Sequence, residues 1–495
     1  MKKSQPFIKY LVLAFIIYMP IFGHLNSLPI RIWDEARLAT NAYEMLHNGN
    51  FIVTYFDGKP DMWNTKPPLL IWFDVLFMKT IGVNELAVRL PSAFAALFTC
   101  ILFLLFSEKF LKKSWFGFIA VIVLITCNGY INVHATRTGD YDSLLTLFTT
   151  ISGFLFFMFC EKQRYKYLYM FFLFISLAVL TKGISGLLFL PALLIYSLIQ
   201  KKFLIILKSK HFYIGLISFL IITLGYYFLR ESNNIGYIKA VKENELGGRY
   251  LKTIEAHHQD FWFYYTNLID FQLKAWHLLV PCGLIVGLFS LNKKIFRLTL
   301  FSSLMIFFFF LVISTAQTKL IWYDVPLYPF LAILITVFIF SIFEFLQSFK
   351  PIKNIVTVNV FPLIFLFLIA ITPYQNILDK TFKPNQSNSI GYYLKDAVKG
   401  KYNLNNQYLI FDDYNAHYNF YIKILNNKGV KVSIKKTENI NENETVFTDQ
   451  ENIKNFIETN YDYEITYRIG DIVSYKIIQR KNLEKDKTKI IDKTS

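Results

Sequence analysis

The chain has 495 residues, of which 54% are hydrophobic, and it contains 51 Phe and 31 Tyr. A soluble domain cannot bury so much apolar surface, and apolar runs of about 18 or more residues indicate membrane spans. The composition therefore excludes a soluble globular protein and favours a polytopic membrane protein. The formal net charge of +17 is unevenly distributed along the chain, and we expect membrane lipids rather than nucleic acid as partners.

The N-terminal sequence MKKSQPFIKYLVLAFIIYMPIFG is basic and then apolar, without a clear small-residue cleavage site. It is typical of a retained first span rather than a removed signal peptide. The four cysteines fall in or at the ends of apolar runs. They are interpreted as small buried hydrophobic residues, because their positions do not support a disulfide or metal framework.

Eleven apolar segments have about the length that a helix needs to cross a bilayer. They lie near residues 7–23, 89–106, 115–132, 143–160, 167–181, 184–199, 211–229, 274–290, 298–315, 324–346 and 354–373. Every second connection is rich in Lys and Arg, as the positive-inside rule predicts for cytoplasmic loops. The sequence therefore predicts a multi-pass protein of the cytoplasmic (inner) membrane with a cytoplasmic N-terminus.

The segment 67–82 is apolar but short, and it contains Asp74 and Lys79. If it crossed the membrane, the alternation of basic loops would fail, so we expect a helix lying along the outer interface. The first outer loop then spans residues 24–88. The predicted fold is an all-α membrane bundle over 1–373, with about 11 transmembrane helices plus juxtamembrane helices.

Residues 374–495 are rich in Asn, Lys, Asp and Tyr, and their apolar residues come in short bursts. QYLIFDD and VKVSI indicate strands, and NAHYNFYIKILNNKG indicates a helix that ends at Gly429. We predict a small extracytoplasmic α/β domain here, with a disordered tail over 480–495.

The outer loops contain most of the residues suited to chemistry. Asp34 and Glu35 begin a predicted helix. Acidic residues at this position are ordinary helix caps, but a carboxylate there can also act as a general base. Lys66 precedes a membrane-lying helix; it either reaches the interface or binds a lipid phosphate. Arg249 and Lys319 offer cations at a similar depth on two other outer loops, and such a set would hold a lipid phosphate.

Asp140 and Asp142 stand at the outer end of a span, near Arg137. Acidic residues at this position are energetically costly unless they are paired or hydrated, so they indicate a functional site. Asp140 also fits the N-cap of the helix. His257 and His258 are adjacent and point in different directions, whereas helical metal ligands favour a spacing of four. Their pattern gives only weak support for a metal site.

Seven motifs in order resemble one family: WDEARLA, TKPPLLIWF, RLPSA, RTGDYDSLL, LTKG, HHQDFWFYY and KLIWYDVPLYPFLAI. Together they resemble the polyprenyl-phosphate-sugar glycosyltransferases of the C superfold (GT-C), in the aminoarabinose transferase-like (ArnT-like) branch, which is related to the protein O-mannosyltransferases. The resemblance covers roughly residues 7 to 345, so the C-terminal region is not needed for it.

The resemblance implies an inverting transfer from a sugar on undecaprenyl phosphate, or a similar carrier, at the outer face of the membrane. Asp34 matches the family's first-loop aspartate, the expected general base or acceptor-orienting group, and Glu35 follows it. Asp142 matches the second-loop aspartate, with Asp140 as the alternative. The family's carrier-phosphate contacts correspond to Lys66, Arg249 and Tyr323, and Tyr323 lies four residues after Lys319.

One departure concerns a metal. The branch usually has Glu before the lysine of the first loop, where this chain has Thr65. In aminoarabinose transferases that glutamate is associated with a bound metal, together with a later histidine that corresponds best to His257. Without the glutamate we expect no required cofactor, and a divalent metal at His257 stays open.

Three alternatives remain: a lipid-linked-sugar transporter or flippase, a non-catalytic envelope assembly subunit, and a different enzyme on a similar fold, such as an oligosaccharide transferase acting on proteins. A transporter would place charges near the membrane midplane, whereas these acidic residues lie at the outer mouths of spans. The acceptor remains open between a lipid such as lipid A, a polysaccharide and a protein, and the sugar is equally open.

Overall fold

The computed structural model describes residues 5–132, 134–248, 250–251, 257–348, 361–382 and 388–481. The chain divides into two compact units. The membrane unit comprises Met1–Leu25 and Glu44–Lys383, and the α/β unit comprises Asn26–Tyr43 and Pro384–Ser495.

The described part of the membrane unit is mostly helical. Its α-helices are Gln5–Phe22, Leu69–Ile81, Glu85–Phe106, Ser114–Ile125, Asn128–Ile131, Tyr141–Lys162, Tyr165–Lys182, Leu190–Ile199, Phe203–Leu207, Lys210–Asn233, Tyr237–Val241, Phe263–Asn267, Leu279–Leu288, Lys293–Thr315, Tyr328–Ser348 and Phe361–Phe382. Turns of 3₁₀ or π geometry cover Ser107–Leu111, Gly183–Leu187, Lys242–Gly248, Leu268–Gln272 and Ile321–Leu327. Helix Asp34–Asn48 contributes residues to both units.

Six described helices are long and apolar enough to cross a membrane: Glu85–Leu111, Tyr141–Lys162, Tyr165–Leu187, Lys210–Asn233, Lys293–Thr315 and Ile321–Ser348. Shorter apolar helices are Lys9–Phe22, Ser114–Ile125, Leu190–Ile199 and Leu279–Leu288. Each of the eleven predicted segments overlaps a helix, although residues 354–360 lie outside the described part. The helical membrane fold is thereby confirmed, while the number of spans stays a prediction.

Small residues allow the helices to approach closely. A Cβ on Gly283 would lie 1.8 Å from the backbone oxygen of Leu334, and one on Gly287 would lie 2.1 Å from Thr299 Oγ1. Without a hydrophobic driving force in lipid, such close packing is a main source of helix association. These two glycines therefore fix the helix Leu279–Leu288 against its neighbours.

The predicted interfacial segment is the helix Leu69–Ile81, which begins directly after Pro68. Its buried residues include Leu70, Asp74 and Met78. Its position at the membrane surface stays a prediction.

The α/β unit contains a five-stranded sheet with the order β4-β3-β5-β7-β6. The strands are β3 (Gln407–Ile410), β4 (Val432–Lys435), β5 (Thr445–Thr448), β6 (Tyr461–Ile469) and β7 (Ile472–Arg480), whereas β1 (Tyr55–Phe56) and β2 (Lys59–Pro60) form a separate hairpin in the membrane unit. Strands β4, β3 and β5 are parallel, and β7 and β6 continue the sheet antiparallel. The helices of this unit are Ser389–Val398, Ala416–Asn427 and Glu451–Asn460, with a 3₁₀ turn at Thr437–Asn439.

The strands and the helix expected between residues 407 and 434 correspond to β3, the helix Ala416–Asn427 and β4. Gly429 follows that helix with φ of 85°, a conformation that favours glycine. Apolar side chains of the remaining strands, such as Val446 and Ile477, are fully buried in the core of the sheet. Of the tail predicted to be disordered, residues 482–495 lie outside the described part.

Candidate active site

A cavity of about 320 Å³ in the membrane unit combines charged and apolar side chains. Its charged lining residues are Lys66, Asp142, Lys182 and Glu245, and Tyr323 lies beside them. The apolar lining is made by Leu145, Ile184, Leu188, Phe309, Val312 and Ile313. Such a lining suits a ligand that carries both an ionic group and a hydrocarbon chain.

Asp142 and Lys182 form a buried ion pair in this cavity. Lys182 Nζ donates to both carboxylate oxygens of Asp142 at 2.6 Å, and the side chains are only 7% and 1% exposed. Asp142 lies in the first turn of helix Tyr141–Lys162, and Lys182 is the last residue of the next helix. Each charge therefore complements the dipole of its own helix.

The chain turns sharply after Lys182, because Gly183 has φ of 56°. The ammonium of Lys182 also lies 5.2 Å from the ring centroid of Tyr323. This distance allows a cation–π contact, and it joins Tyr323 to the ion pair.

Asp140 has a structural position beside the cavity. Its Oδ1 accepts the backbone N–H of Tyr141 at 2.6 Å as an N-cap, and its Oδ2 lies 2.7 Å from His134 Nδ1. Burial alone would raise the pKa of Asp140, but the hydrogen bond and charge of His134, with the charge of Lys182, hold that pKa below its usual value. Asp142, not Asp140, lines the cavity.

Lys66 reaches the cavity from the first loop. Its Nζ lies 3.5 Å from Glu245 Oε1 and 5.5 Å from the ring centroid of Tyr141. Thr65 Oγ1 donates to the same carboxylate oxygen of Glu245 at 3.3 Å. Glu245 therefore brings a carboxylate to the Thr65–Lys66 pair from a distant part of the chain.

The loop before Lys66 is held by the helix Lys210–Asn233 and the segment after it. Arg230 is fully buried. Its guanidinium donates to the backbone oxygens of Ile52 and Asp61 at 3.2 and 3.3 Å and to Thr54 Oγ1 at 3.1 Å. Tyr237 OH donates to the backbone oxygen of Thr65 at 2.7 Å. These bonds fix the backbone from which Lys66 projects.

A tight hairpin lies within the same loop. Asp57 and Gly58 join strands β1 and β2, and both have positive φ, of 51° and 74°. An Asp-Gly pair with positive φ at both positions is the sequence favoured for a two-residue hairpin turn. Asp61 Oδ1 then accepts the backbone N–H groups of Trp63 and Asn64 at 3.0 Å, which orders the approach to Lys66.

Lys319, another expected phosphate ligand, is bound by backbone acceptors. Lys319 Nζ donates to the backbone oxygens of Gln259 and Ala316 at 3.0 and 2.6 Å, and Lys319 is absent from the described cavity lining. Arg249 lies outside the described residues. The backbone oxygen of His257 accepts the N–H of Lys319 at 3.1 Å, and a metal at His257 stays a prediction.

Asp34 and Glu35 belong to the α/β unit. Both lie in the first turn of helix Asp34–Asn48. Glu35 is buried, and its Oε2 accepts the backbone N–H of Arg31 at 2.8 Å, so it stabilises the turn before the helix. The catalytic assignment of Asp34 stays a prediction.

The same segment packs within the α/β unit through aromatic residues. Trp33, at φ of 71°, stacks on Tyr414 with ring centroids 4.4 Å apart. The backbone N–H of Ile30 donates to Tyr421 OH at 2.8 Å. Tyr43 OH donates to the backbone oxygen of Lys423 at 3.0 Å. The sequence Asn26–Tyr43 is thereby built into the α/β unit.

Comparison with known proteins shows that residues 65–227 match the family model described as "Dolichyl-phosphate-mannose-protein mannosyltransferase". An uncharacterized protein of Aquifex aeolicus is 26% identical over 370 residues, which cover 74% of this chain and 70% of that protein. The undecaprenyl phosphate-alpha-4-amino-4-deoxy-L-arabinose arabinosyl transferase of Shewanella sediminis is 26% identical over 384 residues, covering 75% and 67% of the two chains.

Among solved structures, ArnT from Cupriavidus metallidurans bound to undecaprenyl phosphate matches with a TM-score of 0.72 at 13% identity. The match covers 96% of this chain and 98% of that one. The oligosaccharyltransferase of Archaeoglobus fulgidus matches with a TM-score of 0.50 at 12% identity, over 87% and 64% of the two chains. At these identities the structures show a shared fold, which extends over nearly the whole chain for ArnT.

Proposed function

Because the chain is an ArnT-like glycosyltransferase with the GT-C fold, we propose that it transfers a sugar from a polyprenyl phosphate carrier to an acceptor at the outer face of the inner membrane. The observation that carries this proposal is the cavity that Lys66 and Lys182 line together with apolar side chains. A polyprenyl phosphate combines the two properties that this lining accommodates, an anionic head and a hydrocarbon chain.

The donor's phosphate would bind near Lys66 and Lys182. Lysine is a compact point charge that suits phosphate oxygens, and low local polarity strengthens its attraction. Leu145, Leu188 and Val312 would contact the first isoprene units, whose burial is favourable at about 25 cal/mol per Å². Arg249 and Lys319 remain proposed as further cations for the headgroup.

The reaction breaks one bond and forms another at the anomeric carbon. An acceptor hydroxyl attacks that carbon from the face opposite the phosphate, a carboxylate takes the hydroxyl proton, and the electron pair of the broken C–O bond stays on the phosphate. Asp34 is the proposed base. As negative charge grows on the leaving phosphate, Lys66, Lys182 and Tyr323 stabilise it without a metal ion.

In this proposal Asp142 positions Lys182. Its carboxylate holds the ammonium of Lys182 in the cavity through two 2.6 Å hydrogen bonds. A lysine fixed in this way needs little reorganisation when the phosphate leaves, which is the requirement for electrostatic catalysis. Asp140 supports the same helix end through its cap and its bond to His134.

The relatives support the donor class more than the acceptor. The Shewanella sediminis relative is named for an undecaprenyl-phosphate-linked sugar, and the Cupriavidus metallidurans ArnT structure contains undecaprenyl phosphate. The matching family model is named for transfer to protein. We therefore propose an undecaprenyl phosphate sugar as the donor, with a lipid, polysaccharide or protein as the acceptor.

The test compares two lysines of the same loop. Lys66 lines the cavity, whereas Lys59 is exposed at the β1–β2 hairpin. Membranes containing wild type, Lys66→Met or Lys59→Met are incubated with radiolabelled undecaprenyl phosphate sugars, and products are separated into lipid, polysaccharide and protein fractions. We expect wild type and Lys59→Met to consume a donor and Lys66→Met to lose most of that activity. Equal consumption by both variants would contradict the phosphate-binding role.

A further inference from the structure

Glu245 places a negative charge where the proposed donor phosphate binds. Its carboxylate contacts both Thr65 Oγ1 and Lys66 Nζ, and the side chains of Lys66 and Glu245 are 13% and 11% exposed. Both residues line the cavity. A phosphate that approaches Lys66 therefore also approaches the Glu245 carboxylate, and the two anions repel each other.

The other lysine of the cavity lining is paired with a different carboxylate. Lys182 is bound to both oxygens of Asp142 at 2.6 Å. The remaining pair is Lys66 with Glu245, at 3.5 Å. The titratable residues that line the described cavity are Lys66, Asp142, Lys182, Glu245, Tyr250 and Tyr323.

The donor and the carrier product differ in charge. A sugar on polyprenyl phosphate is a phosphodiester with one negative charge, whereas the released polyprenyl phosphate is a monoester. A phosphate monoester has a second pKa near 6, so its charge is about −1.5 to −2 at pH 7. A carboxylate beside Lys66 therefore disfavours the product more than the donor.

We propose that Glu245 discriminates between the two carrier forms. The extra negative charge of the product phosphate strengthens its attraction to the lysines, and repulsion by Glu245 offsets part of this gain. The product therefore leaves the cavity. This inference rests on the proposed function, and it adds a residue that sets the selectivity of the phosphate site. The neutral Thr65 fits this arrangement, because its hydroxyl donates to Glu245 and orients the carboxylate toward Lys66.

The test measures binding, so it needs no sugar transfer. Full-length wild type and Glu245→Gln in detergent are titrated with undecaprenyl phosphate and with its methyl diester, at pH 7.5 and pH 5.5. We expect Glu245→Gln to increase affinity for the monoester about tenfold more than for the diester at pH 7.5. At pH 5.5, where the monoester carries close to one charge, the difference should largely disappear.

Glu243→Gln is the matched control, because Glu243 lies on the same turn Lys242–Gly248 and its side chain is 62% exposed. It should leave the ratio of the two affinities unchanged. The double variant Thr65→Glu/Glu245→Gln returns a carboxylate to the neighbourhood of Lys66 and should restore the wild-type ratio. Glu245→Asp, with a shorter side chain, should give an intermediate ratio and serves if Glu245→Gln does not fold.

The outcomes separate this inference from the proposed function. If wild type binds neither probe, the polyprenyl phosphate site itself is contradicted. If wild type binds both probes but Glu245→Gln leaves the affinity ratio unchanged at pH 7.5, only the discriminating role of Glu245 is overturned. An equal change in Glu243→Gln would also overturn it, because the effect would then be one of general surface charge.

Discussion

Lys182 donates to both carboxylate oxygens of Asp142, and the two residues lie at the neighbouring ends of consecutive helices. Helices Tyr141–Lys162 and Tyr165–Lys182 are joined by a short turn, so their free ends meet. The ion pair closes that end and places an ammonium in the cavity. The same contact therefore contributes to stability and to the proposed phosphate site.

Variants that break this ion pair should separate its contribution to stability from its contribution to sugar transfer. Lys182→Met or Asp142→Asn should lower the free energy of unfolding by about 3–5 kcal/mol, because each leaves a buried charged or polar group without its partner. The double variant Asp142→Leu/Lys182→Met should recover most of the stability but not the sugar transfer. Thermal unfolding in detergent and donor consumption measure the two effects.

Lys162→Met is the control for that series, since Lys162 is exposed at the opposite end of the same helix. It should retain both stability and transfer. A double variant that regains full transfer would show that the pair has only a structural role.

Arg230→Lys should loosen the loop that carries Lys66. Lysine keeps the charge but cannot reproduce the contacts of the planar guanidinium with Ile52, Thr54 and Asp61. Unsatisfied buried acceptors cost about 1–3 kcal/mol. Hydrogen exchange over residues 52–66 should become faster, and the KM for the donor should rise more than kcat falls.

The control for Arg230 is Lys239→Met, because the Lys239 side chain is 79% exposed on the next helix. It should leave the exchange of residues 52–66 unchanged. Unaltered exchange in Arg230→Lys would mean that the loop does not depend on the guanidinium.

Tyr421→Phe should affect transfer through the segment that carries Asp34. The variant removes the acceptor of the buried N–H of Ile30, at a cost of about 1–3 kcal/mol. Asp34 follows four residues later, so kcat should fall while binding of undecaprenyl phosphate is retained. Tyr475→Phe removes a comparable bond, to Glu458, in the sheet of the same unit and should leave kcat unchanged. Equal losses in both variants would indicate a general loss of stability.

The stability of the α/β unit should fall in mildly acidic solution because of His417. Burial lowers the pKa of His417 from 6.5 to about 4, and among the described residues nothing bonds to its Nδ1. Between these values the unfolded chain binds a proton that the folded chain does not, so stability decreases as the pH falls from about 6.5 to about 4. The total loss is about 3 kcal/mol.

His417→Phe keeps a ring beside Tyr418, whose ring centroid is 3.8 Å away, and it removes the titration. Hydrogen exchange of strands β3–β5, corrected for its intrinsic pH dependence, should then vary less across this pH range than in the wild type. The same pH dependence in both proteins would rule out His417 as the cause.

Much of this architecture follows from local sequence pattern. The apolar segments correspond to helices because about 20 apolar residues can satisfy their backbone in lipid only as a helix. Asp140, an Asx residue before an apolar run, caps its helix as its position suggests. The strands β5 to β7 were not predicted. Their apolar runs are short, and such runs are stabilised as strands only by packing against their neighbours in the sheet.

The site was only partly predictable. Asp142, Lys66 and Tyr323, which the motifs single out, line one cavity, and their roles stay predictions. Lys182 belongs to the LTKG motif without an assigned role, although a lysine at the end of an apolar helix, paired across a helical hairpin with Asp142, is a recognisable signal. Glu245 lies about 180 residues from Thr65, and no local pattern could bring these two together.

The most direct test of sugar transfer measures two products in one reaction. Purified wild type and Asp34→Asn, in liposomes with a radiolabelled undecaprenyl phosphate sugar and a crude acceptor fraction, are assayed for transferred label and released undecaprenyl phosphate. Wild type should release one undecaprenyl phosphate for each sugar transferred, and Asp34→Asn should do neither at a comparable rate. Movement of intact donor across the bilayer without release of undecaprenyl phosphate would contradict the account and favour a transporter.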